Sequence, residues 1–222
     1  SVATHRWSTE FNHLTTQFRD RRFSTIFTNP PFGAPLKVKR SEAVKANLSI
    51  AQAQPDGDIE LGLAMLNRCH QLLRDNGRLC IVLPETYFFS PSYRFVRNWC
   101  RGRFVPEAVL NVPMEAFQGF SRAKTNVYIF RKVPEFAEIR DETKRAAAHK
   151  KALEEAEKGS VVMLNPRTCG IYKNGARRFK VTADGQRTDE VDNQMLEHVL
   201  AWKSGSLPPG AVVVSVEDAL RT

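Results

Sequence analysis

Phe23-Ser24-Thr25-Ile26-Phe27-Thr28-Asn29-Pro30-Pro31-Phe32 decides the reading of this chain. The first six residues are an apolar run of strand type, and two prolines end it, because proline has no backbone N–H and a fixed φ. Each proline also drives the residue before it into an extended conformation. The chain therefore leaves its strand rigidly, holding the Asn29 side-chain amide and the Pro30 carbonyl at the strand end. The face of Phe32 stands beside them, and Gly33 frees the backbone beyond. Two acceptors and a flat apolar wall are what an exocyclic amino group on a planar base requires.

Downstream, strands and helices alternate. A loop, 34–55, carries Lys37, Lys39, Arg40 and Lys45 and is expected to be mobile. Asp58 is expected to start a helix whose apolar residues Ile59, Leu63, Leu66 and Leu73 keep the helical period until Asn76-Gly77, with Gly77 as the residue after the cap. Arg78-Leu79-Cys80-Ile81-Val82-Leu83-Pro84 reads as a short buried strand. Ser90-Pro91 predicts a capped helix start, with Tyr93, Val96, Trp99 and Cys100 turned to the core and the end near Gly102. Strands are predicted at 105–112 and 125–130. This order argues an α/β sheet with parallel crossovers and a final antiparallel pair.

Composition bounds the function. At 222 residues, with 42% hydrophobic and 26% charged residues, the chain reads as an ordinary globular protein. The four cysteines, Cys69, Cys80, Cys100 and Cys169, form no CxxC and suggest neither a zinc site nor a disulfide framework. No apolar run reaches the length of a membrane span and no signal-peptide core opens the chain, so a cytoplasmic protein is expected. The 33 Lys and Arg against 24 Asp and Glu give a formal charge of +9, compatible with polyanion binding without establishing it. His70 lies on or beside an apolar helix face with no ligand partner at metal spacing, and reads as structural.

These motifs, taken in order, resemble the S-adenosylmethionine-dependent DNA adenine-N6 methyltransferases, above all the modification subunits of type I restriction-modification systems and related single-chain enzymes. The resemblance rests on Asn29 to Phe32, Asn76 to Pro84, Tyr93-Arg94, Ala108 to Pro113, Phe117, and Lys124-Thr125 to Phe130-Arg131-Lys132, covering residues 23 to 132. It implies the C-terminal half of a Rossmann-like methyltransferase sheet followed by a small β-rich appendage. It also implies a catalytic loop of Asn29, Pro30, Pro31 and Phe32, with Asn29 Oδ1 and the Pro30 carbonyl accepting the two hydrogens of the adenine amine. The flipped base would stack on Phe32, with Phe117 as a second wall; core packing is the competing role for Phe117, and Phe120 competes for the wall. The cofactor implied is S-adenosylmethionine. The partners implied are double-stranded DNA and a specificity and a restriction subunit or domain.

No Gly-x-Gly occurs in the chain, and only 1–22 precede the first strand. The Gly-rich turn and the ribose-binding acid of this family belong upstream, so most cofactor contacts are expected outside this segment, with Asn29 the candidate within it. The expectation is the C-terminal part of a longer enzyme, inactive by itself. Its parts would be 1–132, the base-binding half of the catalytic domain; 133–160, a charged helical connector; and 161–222, a small appendage of hairpin and helix.

The connector is rich in Ala, Glu, Lys and Arg without a wide apolar stripe, fitting a solvent bridge, a helix packed on a neighbour, or a DNA-contacting arm. In the appendage, Lys173-Asn174-Gly175-Ala176 predicts a type I′ hairpin joining 168–172 to 177–181; Ala183-Asp184-Gly185-Gln186 marks a second turn, and a helix is expected over 192–203. Lys173, Arg177, Arg178 and Lys180 cluster there, for phosphate contact or as a solvated edge that blocks strand pairing. The candidate DNA contacts are thus Lys37, Lys39, Arg40, Lys124, Lys173, Arg177 and Arg178. Two rival functions share the tetrapeptide: methylation of a guanine amine in ribosomal RNA or of a glutamine amide in a release factor. A third is a non-catalytic DNA-binding subunit.

Overall fold

The computed structural model describes residues 23–31, 33, 36–117 and 123–220. In chain order these form β1 (Phe23–Thr28), β2 (Lys37–Val38), α1 (Arg40–Lys45), α2 (Ile50–Ala53), β3 (Ile59–Glu60), α3 (Leu61–Leu72), β4 (Leu73–Pro84), α4 (Thr86–Phe89), α5 (Arg94–Cys100), β5 (Phe104–Asn111) and β6 (Thr125–Lys132). Then come α6 (Glu142–Glu157), β7 (Ser160–Leu164), β8 (Phe179–Val181), β9 (Arg187–Val191), α7 (Gln194–Lys203), β10 (Val212–Ser215) and α8 (Val216–Leu220).

Among the described residues, six strands make one mixed sheet in the order β1-β4-β6-β5-β7-β10. β1 runs parallel to β4 and β5 parallel to β7, while β6 is antiparallel to both β4 and β5. The carboxyl ends of β1, β4, β5 and β7 therefore share one edge, where α/β sheets bind their ligands. The expected α/β architecture holds, and the strands ending at Thr28, Pro84, Asn111 and Lys132 lie in this one sheet. β7 and β10, read from sequence as outside the catalytic half, are hydrogen-bonded into it.

The main core fills one face, where Leu63, Leu66, Leu79, Ile81, Leu83, Val96 and Trp99 are buried. His70 packs edge-on to Trp99 and Phe104, at 5.8 and 5.2 Å between ring centres, the structural role expected of it. Lys132 is 1% exposed, and its ammonium donates to the carbonyls of His70 and Leu73 at 2.9 and 3.1 Å. A cation there satisfies carbonyls that the end of α3 leaves without intrahelical partners and opposes the helix dipole. The four cysteines are free. No helix among the described residues is long and apolar enough to cross a membrane.

Several local expectations are corrected. The supposed mobile loop holds α1 and α2, and Ala43, Leu48, Ile50 and Ala51 are at most 1% exposed, so its scattered apolar residues serve the core. The helix begins at Leu61 instead of Asp58, because Ile59 and Glu60 pair antiparallel with Val38 and Lys37. It ends at Leu72, and β4 carries Asn76-Gly77 as an irregularity: Phe23 pairs with Leu73, yet Thr25 pairs with Arg78. Asn76 takes the left-handed conformation, φ 59°, while a Cβ on Gly77 would meet the Arg74 carbonyl at 2.8 Å. Gly77 is needed for close approach, and the helix stop lies elsewhere.

Ser90 makes no capping hydrogen bond; Pro91–Tyr93 form a 3₁₀ turn leading into α5. The 173–176 turn is also not type I′. Only Gly175, φ 81°, is left-handed while Asn174 is not, and the Gly175 N–H donates to the Tyr172 carbonyl at 2.9 Å, a type I turn followed by a left-handed glycine. Its flanks meet in a single bridge, Ile171 to Arg177, and the true ladder is β8 with β9 across the second turn. Helices 142–157 and 194–203 form where the sequence predicts them, capped by Asp141 and Asn193.

Candidate functional site

β1 carries Asn29 to the ligand edge. Thr28 lies beside Ile81 in register, so Asn29, Pro30 and Pro31 leave the sheet alongside the last residues of β4. Asn29 is exposed and Pro30 buried: the proline anchors the exit while the amide faces out. Among the described residues nothing hydrogen-bonds the Asn29 side chain. Gly33 has φ 144°, a conformation L side chains rarely adopt, and its carbonyl accepts from Leu36 N at 2.9 Å. Phe32 lies outside the described residues.

The chain then returns beside its starting point. The Leu36 carbonyl accepts from Leu61 N at 2.9 Å, and β2 pairs with β3, which fixes Glu60 near the loop that follows Asn29. Glu60 accepts the Tyr87 hydroxyl at 2.7 Å on one carboxylate oxygen and the Tyr93 hydroxyl on the other. Both phenols are held well above the ordinary tyrosine range, by burial first and by the Glu60 charge and hydrogen bond after it. Beside this cluster a cleft of about 660 Å³ is lined by Lys37, Gln54, Asp58, Glu60, Thr86 and Tyr93, among others. Sequence reasoning did not find this carboxylate, because its two phenols lie 27 and 33 residues away and no local spacing links them.

On the other side of β4, the backbone N–H of Glu85 donates to the Lys124 carbonyl at 2.9 Å, and their side chains form an ion pair at the same distance. Phe117 ends a 3₁₀ turn beyond β5, half-buried, on the same edge as Asn29 but with β4 and β6 between their strands. Phe120 lies outside the described residues. Asn126, 4% exposed at the start of β6, donates to the Tyr128 hydroxyl at 3.1 Å and leaves Oδ1 unpartnered among the described residues.

The candidate DNA contacts divide by what already holds them. The Arg40 guanidinium donates to the Gln54 carbonyl, Lys124 is paired with Glu85, and Arg178 lies 2.8 Å from Asp192 and over the ring of Tyr172. Lys37, Lys39, Lys173 and Arg177 are exposed and make no ion pair among the described residues. No group of His, Cys, Asp and Glu among the described residues could hold a metal ion.

Residues 2–107 match the family model of the Eco57I restriction-modification methylases, just under half of the chain. No curated protein matches. Among solved structures, the chain is similar to a methyltransferase subunit of a type I restriction-modification system from Streptococcus thermophilus, with a TM-score of 0.52, 18% identity, and coverage of 91% of this chain and 36% of that one. It is similar also to a modification subunit assigned to a type I restriction enzyme of Vibrio vulnificus YJ016, with a TM-score of 0.55, 14% identity and coverage of 90% and 34%. A third is the type IIG restriction endonuclease BpuSI, with a TM-score of 0.50, 14% identity and coverage of 89% and 20%. At these identities the likeness is one of fold, and the chain spans about a third of the type I structures.

Proposed function

We propose, from the match of residues 2–107 to the restriction-modification methylases, that this chain is the base-binding part of an S-adenosylmethionine-dependent DNA adenine-N6 methyltransferase of a restriction-modification system. The observation that carries the reading is the exposed Asn29 amide at the carboxyl end of a parallel strand, fixed by a buried Pro30. S-adenosylmethionine supplies an electrophilic methyl group when bound. Asn29 Oδ1 and the Pro30 carbonyl accept the two hydrogens of the adenine amine, which favours a pyramidal nitrogen and aims its lone pair. No strong base is required, because the proton leaves after transfer. The base must leave the duplex to reach this edge, and Phe32 is the stacking surface proposed for it.

The residues present suit the base better than the cofactor. β1 is an outer strand of the described sheet and its Phe27 is 77% exposed, so further strands carrying the rest of a cofactor site have a place to add. The proposed partners are duplex DNA and the specificity and restriction components of such a system. Labelled cofactor offered to the full-length protein with duplex DNA, ribosomal RNA or a release factor tests the reading. Methyl transfer to adenine N6 in DNA is expected, and transfer to either other acceptor alone would overturn it.

A further inference from the structure

A second polar cleft lies on the ligand edge, beyond β7. That strand ends at Leu164, so Asn165-Pro166-Arg167 leaves the sheet on the same side as Asn29, and Gly210 leads back into β10. With α7 these segments enclose a cleft of about 750 Å³ lined by Asn165, Arg167, Gln194, Glu197 and His198. Arg167 is exposed and makes no ion pair among the described residues. Its backbone N–H donates to Gln194 Oε1 at 3.0 Å, which fixes that amide with its NH₂ group still free to donate.

His198 is 6% exposed, and its Nδ1 meets no hydrogen-bond partner among the described residues. A buried imidazole nitrogen without a partner leaves this ring with hydrogen-bonding capacity to spend on a ligand in the cleft. Glu197 is the carboxylate in the lining, and Lys180 sits 2.9 Å from it. The cleft thus offers a guanidinium, an imidazole and an amide, with its carboxylate paired to Lys180, which Glu190 shares. That set suits an anion with several oxygens.

Its position selects the anion. Four inter-strand steps separate β1 from β7, about 19 Å at the usual strand spacing. Phosphates on one DNA strand rise about 3.4 Å per nucleotide, so this distance corresponds to roughly six nucleotides. A duplex that lay along this edge with a base at Asn29 would carry its backbone past Arg167. The neighbouring hairpin cations Arg178 and Lys180 are committed to Asp192, Glu190 and Glu197.

We propose that this cleft binds a phosphodiester of the substrate duplex about six nucleotides from the target base, with Arg167 as the ionic contact and His198 and Gln194 as supporting donors; the inference rests on the DNA methyltransferase reading. The test uses the full-length protein and a duplex DNA that the parent methylates, with affinity measured by fluorescence anisotropy across a salt series. Losing one phosphate contact lowers the slope of log affinity against log salt by about 0.9. Arg167→Ala should show that loss and weaken all duplex sequences alike, Arg167→Lys should recover most of the slope, and His198→Gln, with folding checked by thermal midpoint, should weaken binding with the slope kept. Lys150→Ala, an exposed charge on α6, is the control for general charge loss. A parental slope and affinity in Arg167→Ala, or a change no larger than that of Lys150→Ala, overturns the proposal while parental methylation leaves the enzyme reading standing. A parent that neither binds nor methylates duplex DNA overturns both.

Discussion

The Tyr87 hydroxyl donates to Glu60 Oε2 at 2.7 Å and ties the segment after β4 to the start of α3, across the ligand edge of the sheet. Tyr87 is 1% exposed, and a hydrogen bond to a charged group in such surroundings contributes about 1.5–3 kcal/mol. Tyr87→Phe should lower stability by that order. Glu60→Ala should cost more, because it strands two phenols at once. Urea unfolding midpoints measure both, and equal stability of Glu60→Ala and parent would refute the clamp.

Asn29→Ala in the full-length protein should slow methyl transfer by about two to three orders of magnitude, the usual cost of one preorganised hydrogen-bonding group at a reacting centre. Folding should be retained, since the side chain is exposed and nothing among the described residues hydrogen-bonds it, and cofactor affinity largely so, since most cofactor contacts are expected outside this segment. Single-turnover methylation is the measurement. A parental rate would reduce the Asn-Pro-Pro segment to a strand exit.

Lys132 should resist substitution although it lies far from the sheet edge that bears Asn29. Lys132→Met keeps the apolar stem but removes the donor to the His70 and Leu73 carbonyls, and buried groups left without partners cost about 1–3 kcal/mol. The loss should appear as a lower thermal midpoint together with faster amide exchange in the last turn of α3. Unchanged exchange there would argue that the ammonium satisfies nothing.

Cys69 and Cys100 give a pH signature. Burial pushes both thiols up to about 12, while an unfolded chain ionises them near 9. Their contribution to stability is full below the unfolded value and is lost as pH rises from 9 toward 12, because the unfolded state releases the protons first. Denaturation midpoints followed across that window should fall, and Cys69→Ala with Cys100→Ala should flatten the fall. Native-state alkylation at pH 8 should spare both thiols.

Gly77→Ala tests the irregularity in β4. The added methyl would sit 2.8 Å from the Arg74 carbonyl oxygen, a backbone atom that cannot move cheaply, and overpacking of this kind costs about 1–3 kcal/mol. The expected result is a destabilised protein with the site geometry kept. Wild-type stability would show that β4 can relax at this point.

Prolines and period-two apolar runs act on their own neighbours, so the sequence by itself determined the strand exit at Asn29, the α/β order, the sheet-forming segments between 23 and 132 and the α6 and α7 helices, but not that β7 and β10 join the sheet. Local rules reached less far where two parts of the chain compete for one backbone. Ile59 and Glu60 follow a helical period, yet pairing with Lys37 and Val38 takes them into a strand. Only the tertiary structure decided which charges are free, because ion pairs and clamps form between residues distant in sequence: Arg178 with Asp192, Lys124 with Glu85, and Glu60 with Tyr87 and Tyr93. It also decided that Arg167 and His198 stand on the edge that Asn29 occupies, since sheet order is set by burial and hydrogen bonding over the whole chain.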